Sequence, residues 1–154
     1  AENPKLGIMI EVPSAIFSLD KILPLIDFAS IGTNDLMQFF FAADRTNEKV
    51  SSVLSFYHPA FLKILNQIGG AFSSADKRLA VCGEMASEPK ALPLLIGIGA
   101  RELSASPRKI PELKKTIRKI SAEKAGTFLK NCLLLDNPQD VENACAKFLS
   151  TLVN

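Results

Sequence analysis

Three short apolar runs each stop at a chemically useful side chain, and each stop lies beside glycine or proline. Gly7-Ile-Met-Ile leads into Glu11 and Val12-Pro13. Ala29-Ser-Ile leads into Gly32-Thr-Asn34-Asp35. Leu79-Ala-Val leads into Cys82 and Gly83-Glu-Met-Ala86. Short apolar runs between turn signals read as buried strands. Helical stretches separate them, and alternating βα units imply a parallel sheet with helices outside it.

In chain order, Gly7 to Ile10 is the first strand. Ser14 is placed to cap a helix over Ala15 to Ile26, with Ile16, Leu19, Ile22, Leu23 and Ile26 on one stripe. Pro24 should kink or break it. Phe28 to Ile31 is the second strand, and Leu36 to Phe41 a helix. Ala42 to Tyr57 reads as a polar loop over the functional face. His58-Pro59 opens a helix to about Ser74, whose Gly69-Gly70 pair suggests a bend or close packing. Leu79 to Cys82 is the third strand, followed by a helix from Glu88 to about Ile98 and a weak fourth strand at Glu102 to Ser106. A basic amphipathic helix over Pro111 to Ile120 and helices over Ser121 to Asn131 and Pro138 to Val153 complete the chain.

Four βα units make half of an eight-unit barrel, which needs about 250 residues. A small open doubly wound sheet is the other reading at this level. The division expected is 1–120 for the βα array and 121–154 for a helical extension.

Composition narrows the classes. The 154 residues are 47% hydrophobic, with a net charge of +2, enough for one globular domain and no electrostatic case for nucleic acid. No Trp and a single Tyr argue against a base-stacking surface. There is no apolar run near the ~20 residues a bilayer requires, so no membrane role is expected. Three scattered cysteines make no disulfide framework, which fits a reducing cytoplasm. The start at Ala1-Glu-Asn-Pro, without Met, reads as a fragment or processed product.

In parallel βα folds ligands sit beyond the carboxyl ends of the strands. Those ends supply Glu11, Asn34, Asp35, Cys82 and Ser104. Two carboxylates there could share Mg²⁺, which takes one or two carboxylates and completes its shell with water and substrate oxygens. Each residue also has a plainer reading. Asp35 could be a helix N-cap, and Cys82 a small buried hydrophobe. Glu11 is harder to explain plainly, because a carboxylate ending an apolar run is costly to bury unpaired. Arg45 could be a surface arginine or a bidentate phosphate ligand. Cys132 and Cys145 lie on apolar stripes and read as core. His58 reads as a cap, and Lys114, Lys115, Arg118 and Lys119 as a solvated face.

Gly-Ile-Met-Ile-Glu-Val-Pro, Ser-Ile-Gly-Thr-Asn-Asp-Leu, Ala-Ala-Asp-Arg and Cys-Gly-Glu-Met-Ala, in this order, together resemble the phosphoenolpyruvate-utilising enzymes. Within them the chain most resembles the phosphoenolpyruvate–protein phosphotransferases (Enzyme I) of the bacterial phosphotransferase system. The resemblance covers about Leu6 to Ile120. It implies the second half of a (β/α)8 TIM barrel, strands five to eight, followed by C-terminal helices. It implies Mg²⁺ on Glu11 and Asp35, the substrate phosphate on Asn34 and Arg45, and Cys82 as the acid that protonates the enolpyruvate carbon.

The partners implied are phosphoenolpyruvate, the phosphocarrier protein of a sugar-transport or nitrogen-type system, and a second copy of the chain in a homodimer. The phosphoryl-accepting histidine and further substrate arginines belong to parts not in this sequence, so the fragment should be inactive alone. Alternatives are a fragment of pyruvate phosphate dikinase or phosphoenolpyruvate synthase, which share the barrel, metal ligands and cysteine, or a non-catalytic regulatory module. Met85 favours the protein phosphotransferases, since the dikinase has His at that place.

Overall fold

The computed structural model describes residues 3–152. Four strands, β1 (Gly7–Ile10), β2 (Phe28–Gly32), β3 (Arg78–Cys82) and β4 (Glu102–Leu103), form one sheet in the order β1-β2-β3-β4. Every pairing is parallel, and the register runs Ile10↔Ile31↔Val81↔Leu103 across the sheet. The order never reverses, so it lacks the switch point of a doubly wound fold. Right-handed crossovers that always step the same way put their helices on one side.

Burial follows that rule. Ile10, Ala29, Ile31 and Val81 are wholly buried beneath helices. On the other face Met9 is 48% exposed. Its neighbours in register, Ser30 and Ala80, are small and half-buried. One face of the sheet is therefore core, and the other is open among the described residues.

The first helical stretch departs from expectation. It starts at Pro13, with Val12 as N-cap and no capping bond from Ser14, and it divides into α1 (Pro13–Ile16) and α2 (Leu19–Ile22). Ser18, with φ −115° and ψ 10°, makes the break. Pro24 lies in a tighter 3-10 turn over Leu23–Leu25, where its missing N–H costs no helical hydrogen bond. Ile16, Leu19, Leu23 and Ile26 are still buried, so the apolar stripe survives the change of backbone.

Later elements follow the sequence more closely. α3 (Thr33–Phe41) begins directly at the end of β2. α4 (Pro59–Ser74) has Pro at its first position, and His58 caps it by accepting from Ala60 N at 3.1 Å. The expected helix after Glu88 opens with a 3-10 turn, Pro89–Ala91, before α5 (Leu92–Gly97). β4 is only two residues long, although Ser104 N extends its ladder to Val81 O at 2.9 Å.

α6 (Ile110–Ile117) starts one residue before the expected Pro111 and ends short of Ile120. α7 (Ala122–Cys132) is capped by Ser121, and α8 (Pro138–Ser150) by Asn137, which accepts from Asp140 N at 2.9 Å. The expected terminus of α8 at Val153 lies outside the described residues. Among those residues no helix is long and apolar enough to cross a membrane.

The C-terminal helices share the core with the sheet: Leu129, Cys132, Val141 and Cys145 belong to the same buried cluster as Ile31 and Val81. The two cysteines also perturb each other. Hydrogen bonding to Cys132, then burial, pushes the Cys145 thiol well above its ordinary range, and the same contact lowers Cys132. Cys82 alone of the three thiols is partly exposed. Brief alkylation of the native protein, mapped by mass spectrometry, is expected to label Cys82 and to leave Cys132 and Cys145 protected until denaturant is added. Comparable native labelling of all three would contradict this packing.

Candidate active site

Glu11 follows β1 directly, Gly32 ends β2 and Cys82 ends β3, so all three lie at one level of the sheet. The two-residue alternation of strands puts Glu11 and Cys82 on the open face, with Met9 and Ala80. Gly32 lies between them without a side chain. A Cβ built on Gly32 would lie 3.1 Å from Glu11 Oε2, so the missing methyl is what lets that carboxylate lean across the strand end. Asp35 lies three residues on, in the first turn of α3.

The capping alternative for Asp35 does not hold. Gly32 is the N-cap of α3, without a side-chain bond, and the Asp35 carboxylate instead accepts from Gln38 Nε2 at 3.2 Å. Cys82 is also not simple core filler. It is half-buried, its Sγ lies 3.3 Å from Ile31 O and 3.5 Å from Met9 Sδ, and its carbonyl accepts from Thr33 Oγ1 at 2.8 Å. A thiol set against a backbone carbonyl acts as a hydrogen-bond donor there.

Gly83 then turns the chain at φ +92°, where L side chains rarely go. A Cβ there would also lie 2.5 Å from Thr33 Oγ1 and 2.9 Å from Asn34 Oδ1. This turn brings the next residue to Asn34. Glu84 N donates to Asn34 Oδ1 at 3.0 Å, and Asn34 Nδ2 donates back to Glu84 Oε1 at 3.4 Å. Arg45 Nη1 reaches the same Oε1 at 3.4 Å. Gln38 closes the circuit by accepting from Arg45 N at 3.0 Å, which connects Arg45 to Asp35.

The expected loop after α3 thus has a definite shape near its start. Asp44 accepts from Thr46 N and Oγ1, both at 2.8 Å, and those bonds hold its carboxyl below the usual range. A cavity of about 230 Å³ lies beneath the loop, lined by Asn34, Gln38, Arg45, Leu54, Phe56 and Glu84 among others. The structure therefore gathers Asn34, Asp35 and Arg45 into one hydrogen-bonded chain and sets Glu11 and Cys82 at the adjoining strand ends.

Sequence reasoning missed Gln38 and Glu84 as members of this group. Glu84 carried a signal, since it lies inside the Cys-Gly-Glu-Met motif. Gln38 carried none beyond its place one turn after Asp35. His58 is occupied as a cap and lies against Phe41, with ring centroids 4.7 Å apart.

Among the described residues no group of three or more His, Cys, Asp or Glu comes together to hold a metal. Two hard oxygen donors, Glu11 in the Gly32 cradle and Asp35, suit Mg²⁺, which keeps water and substrate oxygens in its shell.

The class these features define is a parallel α/β domain with its polar groups gathered beyond the strand ends. Residues 1–122 match the family model for the PEP-utilising enzyme, PEP-binding domain, and the chain belongs to that family. A Salmonella typhimurium protein named for the phosphoenolpyruvate-dependent phosphotransferase system is 39% identical over 147 residues, covering 96% of this chain and 20% of the relative. The phosphoenolpyruvate-protein phosphotransferase of Mycoplasma pneumoniae is 40% identical over 144 residues, 94% of this chain and 25% of the relative. That of Haloferax volcanii is 38% identical over 140 residues, 91% and 25% respectively. The chain spans only a fifth to a quarter of the length of these relatives.

Proposed function

We propose that this chain forms the phosphoenolpyruvate-binding half-site of a phosphoenolpyruvate–protein phosphotransferase, which passes the phosphoryl group to a protein histidine and releases pyruvate. The observation that carries the reading is the convergence of Asn34 Nδ2 and Arg45 Nη1 on one anionic oxygen, beside a strand-end thiol. A guanidinium and an amide aimed at one oxygen suit a phosphoryl group, whose transfer depends on positioning and charge neutralisation more than on covalent help.

In this reading Glu11 and Asp35 hold Mg²⁺, which when bound neutralises charge on the substrate oxygens. Asn34 and Arg45 orient the phosphoryl group. As the P–O bond breaks and a P–N bond forms on the histidine, the enolate of pyruvate is left. Cys82 delivers the proton of its S–H to the methylene carbon, and solvent restores the thiol. The acceptor histidine is not His58, whose Nδ1 is committed to capping α4.

The non-reversing strand order and the open, small-residue face support strands five to eight of a (β/α)8 barrel, with that face turned to the interior once the other half is present. The division at residue 120, the homodimer, the carrier protein and a cytoplasmic setting belong to the same reading. The full-length protein, given phosphoenolpyruvate, Mg²⁺ and the carrier, is expected to release pyruvate, and this chain alone is expected to release none. Turnover by the chain alone, or none by the full-length protein, would contradict it.

A further inference from the structure

The seat where Asn34 and Arg45 converge is not empty of charge: the Glu84 carboxylate occupies it. Its contacts there are long, 3.4 Å to each donor, and single rather than bidentate. Glu84 is 71% exposed and Arg45 54% exposed. An ion pair this open gains little over its hydrated components. A phosphoryl group carries more charge and offers the guanidinium two oxygens at once, so it should win the exchange.

A second contact survives that exchange. Glu84 N–H donates to Asn34 Oδ1 at 3.0 Å through backbone, independently of the carboxylate. This bond fixes which end of the Asn34 amide faces which way, leaving its NH₂ aimed into the seat. The tight turn at Gly83 sets that backbone in place. The residue thus has two separable parts: a backbone amide that orients Asn34 permanently, and a side chain that only fills the seat.

We propose that Glu84 is a built-in stand-in anion, whose carboxylate rests on Asn34 and Arg45 in the ligand-free site and yields them to the incoming phosphoryl group. This rests on the reading of Asn34 and Arg45 as the phosphoryl grip given above. Glu84 is then a positioning residue that also sets an affinity threshold: an anion must outcompete it before it can bind. Inorganic phosphate and phosphoenolpyruvate meet the same competitor.

The test is calorimetric binding of each ligand to the full-length protein. Glu84→Gln retains the backbone amide and a side-chain oxygen but removes the competing charge. It is expected to bind both inorganic phosphate and phosphoenolpyruvate about two- to five-fold more tightly, the range an exposed ion pair commands. Glu84→Ala, at this exposed position, is expected to shift both affinities in the same direction. Unchanged or weaker binding in both variants overturns the proposal, since a purely structural Glu84 cannot tighten anything. Arg45→Ala tests the grip separately and is expected to weaken both ligands. No effect of Arg45→Ala would remove the grip and the stand-in together. Weakening in Arg45→Ala without tightening in Glu84→Gln would remove the stand-in alone.

Discussion

Replacing Cys82 by alanine in the full-length protein is expected to slow pyruvate formation by about 10²–10⁴-fold, the usual contribution of a positioned general acid. Phosphoenolpyruvate affinity should stay within about two-fold of wild type. The substitution removes one sulfur from a half-buried strand end and leaves the Thr33 bond to the Cys82 carbonyl intact. The lost sulfur forfeits the only S–H that the described residues present on that level of the sheet, beside Gly32 and Glu11. In the proposed reading, charge on the substrate phosphoryl group is handled elsewhere, by Asn34 and Arg45, so binding and proton delivery should separate. A coupled pyruvate assay beside a binding isotherm measures both. Wild-type turnover in Cys82→Ala would end the acid assignment.

The second large effect is on stability. Gly69→Ala is expected to destabilise the fold by about 3 kcal/mol in urea denaturation, the upper end for overpacking a tight contact. A Cβ on Gly69 would lie 2.0 Å from Ile98 O and 2.9 Å from Ile98 C. Those atoms are backbone at the end of α5, so they cannot rotate away as a side chain could. α4 would have to lift off α5, disturbing buried Ile68 and Leu94 nearby.

Gly70 is the control. Nothing lies within 4 Å of a Cβ built there. Gly70→Ala should therefore stabilise by about 0.5–1 kcal/mol, through the ordinary helix preference of alanine over glycine. Two adjacent glycines giving opposite signs would locate the α4–α5 contact. Equal effects would argue against it.

That pair also marks what sequence can and cannot convey. The Gly69-Gly70 dipeptide flagged close packing or a bend, but only the approach of α5 tells which glycine carries the contact. The strands were legible because four-residue apolar runs between Gly, Pro and polar residues have few other homes. The helix over Ala15 to Ile26 was only half legible. Its stripe of Ile16, Leu19, Leu23 and Ile26 is buried as expected, but the backbone breaks at Ser18, where no strong breaker stands. A stripe constrains which side chains face inward and leaves freedom in how the chain achieves it.

At the site, Glu11, Asn34, Asp35 and Cys82 could be read because each ends a strand or opens the next helix, and chain order alone puts such positions on one edge. Arg45 is different. It lies on a loop, and its link to Asn34 and Asp35 runs through Glu84 and Gln38, contacts separated by 39 and 7 residues along the chain. Glu84 lies within a motif that does not reveal its contacts, because these depend on the Gly83 turn and on a partner 50 residues away. Local pattern finds groups that share an edge. Networks between loops require the fold.

In the proposed function, Glu11 and Asp35 serve one metal-centred phosphoenolpyruvate site. Mn²⁺, a spectroscopic substitute for Mg²⁺, can be titrated into the full-length protein with phosphoenolpyruvate present, following the free ion by electron paramagnetic resonance. Glu11→Gln and Asp35→Asn are each expected to weaken binding by at least about ten-fold, a loss of roughly 1.4 kcal/mol. Wild-type Mn²⁺ affinity in both variants would contradict the account.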